Sequence, residues 1–198
     1  FILKFSTNYI MPDFGNGTPQ LTDAFLEYKY FTAAKFKAGK FKVPLGLERL
    51  QTDSVSNFIE LGPTGNLTPN RDIGFQLSGD LFKGTLSYAA GVFNGSVDGG
   101  STDADINSDK DLIARIFAHP FKNTEIEFLQ GLGVGIAGSY GHREGSVLPT
   151  YRSAGQNSIF TYAKDTLADG PSTRLTPQLY YYYKPFGLIA EYVTSEQE

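Results

Sequence analysis

The chain has 198 residues and a formal net charge of −4, with no cysteine or tryptophan but 22 glycines, 12 tyrosines and 16 phenylalanines. The lack of cysteine excludes disulfide frameworks, thiolate metal sites and cysteine nucleophiles, and the acidic balance argues against a nucleic-acid partner. No apolar run approaches the roughly 20 residues of a spanning helix, and a hydrophobic fraction of 40% rich in Tyr, Phe and Gly suits alternating strands, in a membrane barrel or in a soluble β-sandwich.

Alternation of apolar and polar residues predicts strands over 1–9, 22–30, 34–43, 72–82, 85–94, 109–119, 130–142, 172–183 and 188–196. The chain opens directly in the first of these, FILKFSTNY, and shows no signal segment. Connections 10–21, 44–71, 95–108 and 143–171 are long and rich in Gly, Pro, Asn and Asp, whereas 31–33, 83–84, 120–129 and 184–187 are short. A meander with short turns at one end and long loops at the other has the asymmetry of an outer-membrane barrel. About nine strands are fewer than a large barrel needs, and single-chain bacterial barrels have an even number. The expectation is a single β-barrel domain over 1–198 that forms part of a larger barrel.

The strand at 34–43 carries four lysines. Lys35 and Lys37 share one face, and simple alternation puts Lys40 and Lys42 on the other. A bulge at Ala38-Gly39 would bring all four to one side and leave Phe36, Phe41 and Val43 for lipid. Pairing with 22–30 sets Glu27 opposite Lys37 and Lys29 opposite Lys35. Two readings stay open: an inward cationic ladder with a carboxylate beside it, or solvated lysines that protect a soluble edge strand.

In the next hairpin, a turn at Lys83-Gly84 pairs Leu81 with Leu86, Leu77 with Ala90, Phe75 with Val92, and Tyr88 with the gap at Gly79. Gln76, Ser78 and Asp80 form its polar face. In the closing hairpin, a turn over 184–187 sets Tyr183 opposite Leu188, Tyr181 opposite Ala190 and Leu179 opposite Tyr192, with Tyr180 and Glu191 on the other face. Pro177 cannot donate to a ladder, so that strand is expected to start later or to bulge. Tyr30, Phe31, Phe82, Phe121, Tyr180–Tyr183 and Phe186 gather at the short turns, as an interfacial girdle would; a hydrophobic minicore capping a sandwich is the other reading.

Three motifs look chemical but lack their context. Gly133-Val-Gly135-Ile-Ala-Gly138 has the dinucleotide spacing without a following helix; as a strand, it turns Gly131, Gly133 and Gly135 inward and leaves room in a lumen. Asp103-Ala-Asp105-Ile-Asn107-Ser-Asp109 starts like a calcium loop but has Ser108 at the turn glycine and Ala114 at the bidentate Glu position. The sequons at Asn16, Asn66 and Asn94 matter only in a eukaryotic secretory protein. His119 and His142 have neither metal nor triad spacing. No catalytic constellation, metal site or cofactor site is expected, and the protein is read as a non-enzyme.

Residues 39–81, GKFKVPLGLERLQTDSVSNFIELGPTGNLTPNRDIGFQLSGDL, together with LSYAAGVFNG, KDLIARIFAHPF and TRLTPQLYYYYKPFGLIAEYVTSEQE, resemble the phosphate-selective porin O and P family in unbroken order. The resemblance implies a homotrimeric porin of the bacterial outer membrane, with about 16 antiparallel strands, in contact with lipid and passing small anions. By position, loop 44–71 looks like an inward-folding constriction with Arg49 and Arg71 as its cations, while Lys35, Lys37, Lys40 and Lys42 come to the wall. Arg115 and Arg174 are further candidates for inward charge, with Glu27 and Glu191 as counter-charges; an arginine beside a carboxylate inside a barrel is equally readable as structural. The function expected is passive diffusion of small hydrophilic solutes, biased toward phosphate or similar anions. A non-transporting barrel or sandwich with a structural role at the cell surface is the alternative.

Overall fold

The computed structural model describes residues 6–15, 17–51, 58, 60–104, 108 and 110–198. Its strands are β1 (Ser6–Asp13), β2 (Gln20–Phe31), β3 (Ala34–Lys42), β4 (Arg71–Leu81), β5 (Leu86–Phe93), β6 (Asp111–Ala118), β7 (Leu132–Val147), β8 (Tyr151–Arg152), β9 (Ser158–Phe160), β10 (Leu167–Tyr183), β11 (Phe186–Glu191) and β12 (Thr194–Gln197). Ten of them form one sheet in the order β1-β2-β3-β4-β5-β6-β7-β10-β11, with β12 also on β10; β8 and β9 form a small hairpin of their own. Neighbours run antiparallel throughout the large sheet. Among the described residues the sheet does not close on itself: β1 and the β11–β12 edge each have a neighbour on one side only.

One face of the sheet is apolar and open. Val92 pairs with Leu112, which pairs with Tyr140, and all three are exposed, as are Phe36, Phe75, Ile116 and Ile136. Such a row is costly in water and is what a barrel turns toward lipid. On the other face, Phe41, Val43, Leu45, Phe93, Ile113 and Ala137 make a buried cluster. At the short-turn end Tyr30, Phe31, Phe82, Phe128 and Phe186 are exposed together, where an aromatic girdle would meet the membrane interface. With 16 and 17 residues, β7 and β10 exceed the 9–11 residues a tilted strand needs to span, so their outer ends extend past the eight-residue strands β5 and β6.

The β4–β5 hairpin has the register its sequence predicts, from Leu81↔Leu86 through Gly79↔Tyr88 to Phe75↔Val92. Phe82, Lys83 and Gly84 all adopt positive φ in its turn. The closing hairpin differs from expectation by two residues. Its turn is only Lys184-Pro185, so Tyr183 meets Phe186, Tyr181 meets Leu188 and Leu179 meets Ala190. A slip of two leaves every side chain on its expected face, because the side-chain period is two. The strand expected over 188–196 is split into β11 and β12, which share one register on β10. The gap falls opposite Pro177: Tyr192 N donates to Pro177 O at 3.2 Å, but proline has no N–H to return. β10 therefore neither starts late nor bulges at Pro177; the ladder simply loses a bond there.

Other departures concern strand ends and the lysine strand. Of the first predicted strand, residues 1–5 lie outside the described residues, and β1 continues to Asp13. Connection 143–171 is shorter than expected, since β7 runs to Val147 and β10 begins at Leu167, with the β8–β9 hairpin between them. β3 has no bulge at Ala38-Gly39: its register is continuous there on both sides. Gly39 takes φ +126°, and a Cβ would lie 2.2 Å from Ala24 O, so glycine solves a close strand approach without inserting a residue. Phe41 and Val43 accordingly point into the buried cluster, not to lipid. Lys29 and Lys35 do not pair, because the β2–β3 register shifts between Tyr28 and Phe31.

Candidate functional site

The segment after β3 crosses the inner face of the sheet. Leu45 O accepts a hydrogen bond from Gln178 Nε2 of β10 at 2.5 Å. In sheet order β10 is five strands from β3, about 24 Å in a flat sheet, whereas three residues past Lys42 the chain reaches only about 10 Å. The sheet must therefore curve strongly around this segment. A one-turn helix, α1 (Leu47–Leu50), follows. Its first amides are taken by Glu191 of β11: Leu47 N at 2.6 Å and Glu48 N at 3.4 Å. At its other end Lys42 Nζ donates to Gln51 O at 2.8 Å.

Between this strap and the wall lies a cavity of about 690 Å³. Its charged lining is Lys35, Lys37, Lys42, Arg71 and Arg115 against Asp23 and Asp80, with Pro44 and Leu50 contributed by the strap. Lys35 Nζ donates to Asp80 Oδ2 at 2.6 Å, and Asp80 Oδ1 accepts from Ser87 Oγ at 2.8 Å. Lys37 Nζ sits 3.4 Å from Glu27 and over the rings of Phe25 and Phe41, 4.6 and 5.3 Å from their centroids. The cross-strand pair Glu27↔Lys37 is formed as its sequence positions predict. Arg71 grips Asp23 with Nε and Nη2 at 3.1 and 3.2 Å. Arg115 lies 4.5 Å over the Phe117 ring and donates Nε to Gln178 Oε1 at 2.9 Å. Carboxylates oppose the charge of Lys35, Lys37 and Arg71, whereas a carbonyl holds Lys42 and an amide and a ring hold Arg115 without opposing charge.

Three sequence-predicted cations lie elsewhere. Lys40 carries its ammonium to Leu21 O, at 2.7 Å, and to Asp103; the other candidate calcium-loop positions, Asp105, Asn107 and Asp109, lie outside the described residues. Arg49 is bound within its own loop, to Thr68 Oγ1 at 3.2 Å and to Gly65 O. Burial, then the nearby Arg71 charge, lower its pKa, though a guanidinium remains protonated in proteins. Arg174 is fully enclosed: Nε donates to Asp98 at 2.6 Å, and Nη1 to Asp111 at 3.2 Å, with no side-chain surface left. Of the two readings of Arg174, this geometry fits the structural one, an arginine paired to carboxylates inside the sheet. Glu191 is anchored in the scaffold: besides the strap amides it accepts Thr176 Oγ1 at 3.0 Å, while its charge still acts on Arg115 and Arg49.

The enclosed arginine belongs to a network that sequence reasoning missed. Arg143, placed by alternation in a loop, lies on β7 and binds Asp111 through Nη1 and Nη2 at 2.8 and 2.9 Å. Asp98 also accepts Ser195 Oγ at 2.7 Å and Gln197 Nε2 at 3.1 Å, which ties the chain around Asp98 to β12. Asp72 adds a carboxylate held by the Gly95 and Ser96 amides at 2.8 and 2.9 Å. The signal for Arg143 was present: continuing the inward phase of Gly133 and Gly135 by twos lands on it. Those glycines leave no open lumen, because the rings of Phe117 and Tyr180 lie over them, and a Cβ would come within 2.7 Å at Gly133 and 2.3 Å at Gly135. The run is strand, not a nucleotide fingerprint.

A strap folded inside a curved antiparallel sheet, lipid-suited residues outside and cations around the enclosed space are the parts of a pore. A search of curated proteins finds no match. The family described as phosphate-selective porin O and P matches residues 1–197, and its members are porins of the bacterial outer membrane. The chain belongs to the phosphate-selective porin O and P family.

Proposed function

We propose that this porin lets small hydrophilic anions, phosphate among them, diffuse passively through the space between the strap and the wall, and that the chain supplies part of the wall of a barrel of about 16 strands. The observation that carries this reading is the lining of the cavity, five cationic side chains against two carboxylates. Low-dielectric walls focus such a field and raise the local anion concentration. Each cation is held in place by a carboxylate, an amide, a carbonyl or a ring, so no single site binds an anion tightly, and several modest sites in series permit release. Lys35, Lys37, Lys42, Arg71 and Arg115 form the anion path; Lys40, Arg49 and Arg174 support the scaffold around it. Assembly as a homotrimer completes the proposal, on the strength of family membership.

The test is planar-bilayer recording of the full-length purified protein in a salt gradient. Channel steps with a reversal potential on the anion side are the expected result. Cation preference would refute the anion path, and the absence of steps would refute transport. Light scattering in detergent reports the number of subunits.

A further inference from the structure

We propose that Glu191 and Gln178 are positioning residues that clamp the strap across the inside of the barrel and thereby set the bore and the anion preference of the pore. The inference rests on the transport reading above but names a different kind of residue, one that acts through the strap and not on the solute. Four bonds carry it. Glu191 accepts the amides of Leu47 and Glu48, and its Oε1 also takes the hydroxyl of Thr176. Gln178 donates Nε2 to Leu45 O. These partners lie 133 to 144 residues apart for the bonds to the strap, so the contact of the strap with β10 and β11 is long-range.

The same two residues link the strap to the anion path. Gln178 Oε1 accepts from Arg115 Nε at 2.9 Å, so one amide side chain fixes both the strap carbonyl and a lining cation. Gln178 is 3% exposed, and an amide so enclosed has one orientation that satisfies both partners: oxygen to the arginine, nitrogen to the carbonyl. Glu191 contributes a charged acceptor to two backbone amides at the start of α1, and charge-assisted bonds of this kind are about twice as strong as neutral ones. The strap in turn forms one side of the cavity through Pro44 and Leu50. Loss of the clamp lets that side move away, which widens the bore and separates Arg115 from its support.

Glu191→Ala, Glu191→Gln and Gln178→Ala in the full-length protein test this with two independent readouts. In bilayers, Glu191→Ala and Gln178→Ala are expected to raise single-channel conductance roughly twofold or more, to admit larger uncharged solutes and to weaken anion preference. Glu191→Gln keeps one acceptor oxygen and should fall between wild type and Glu191→Ala. If Glu191 acted only as a charge facing the path, Gln and Ala would behave alike, both with stronger anion preference and an unchanged size limit; that outcome overturns the inference. The second readout is trypsin cleavage after Arg49, read by mass spectrometry on protein that retains its heat-modifiable gel mobility. Wild type should resist and Glu191→Ala should be cut. Equal resistance overturns the clamp even if no variant conducts, whereas a wild-type protein that resists cleavage but passes no current refutes transport alone.

Discussion

The long-loop end and the middle of the wall use the same residue types to opposite ends. At the long-loop end Arg143, Arg174, Asp98 and Asp111 are enclosed to the point that their side chains keep at most 1% of their surface. In the middle and toward the short turns, Lys37 and Lys35 retain 22% and 29% of theirs. Removing charges from water costs several kcal/mol per ion, so the enclosed arginines are stable only with near-complete pairing, which leaves no charge for a passing solute. The partly exposed lysines face a smaller cost and keep part of their field, which under the proposed function is what a passing anion meets. Depth of burial, more than residue type, divides the enclosed arginines from Lys35 and Lys37.

The largest effect expected from breaking this contrast is at Asp111, which bridges Arg143 and Arg174. Asp111→Ala leaves two buried guanidiniums short of a partner, and uncompensated buried charge costs on the order of 3–5 kcal/mol. Urea unfolding or loss of heat-modifiable mobility should report it, and a variant as stable as wild type would show the network to be dispensable. In the middle of the wall the outcome should appear in selectivity instead. Lys37→Glu places a second carboxylate beside Glu27, and the anion-to-cation permeability ratio should fall roughly three- to tenfold at low salt, less at 1 M where screening is strong. An unchanged ratio would remove Lys37 from the path.

The smallest effect sharpens the comparison at the short-turn end, where His119 follows β6 and contacts Tyr180. Burial, and then the Lys122 charge, lower its pKa below 6.5. A histidine whose folded value is depressed stabilises the fold fully above the unfolded value, and that contribution is lost as pH falls through the folded value. Unfolding should therefore become easier below pH 6.5, and His119→Gln should flatten that dependence. A slope that persists in the variant would assign the titration elsewhere.

Much of the fold was legible because local alternation carries it. Gln76, Ser78 and Asp80 read as one face and do line one cavity, and the register from Phe75 to Val92 follows from a tight turn. The β10–β11 register missed by two because Lys184 accepts a positive φ that permits a two-residue turn, a choice that alternation cannot distinguish from a four-residue one. Gly39 was legible as special but not as a close approach, since the atom it avoids, Ala24 O, belongs to another strand. The site was legible in part: Glu27 beside Lys37 depends on neighbouring strands, while Arg174 beside Asp98 depends on residues 76 apart.

The sequence by itself determined an antiparallel meander with unlike ends, one apolar face, and a cationic third strand, because a period of two and the reach of short turns are local properties. Only the tertiary structure decided which cations meet water. That depends on where the strap lands and which loop closes over which strand, through contacts such as Glu191 to Leu47, 144 residues apart. Burial is a property of the assembled curve, and no single strand encodes it.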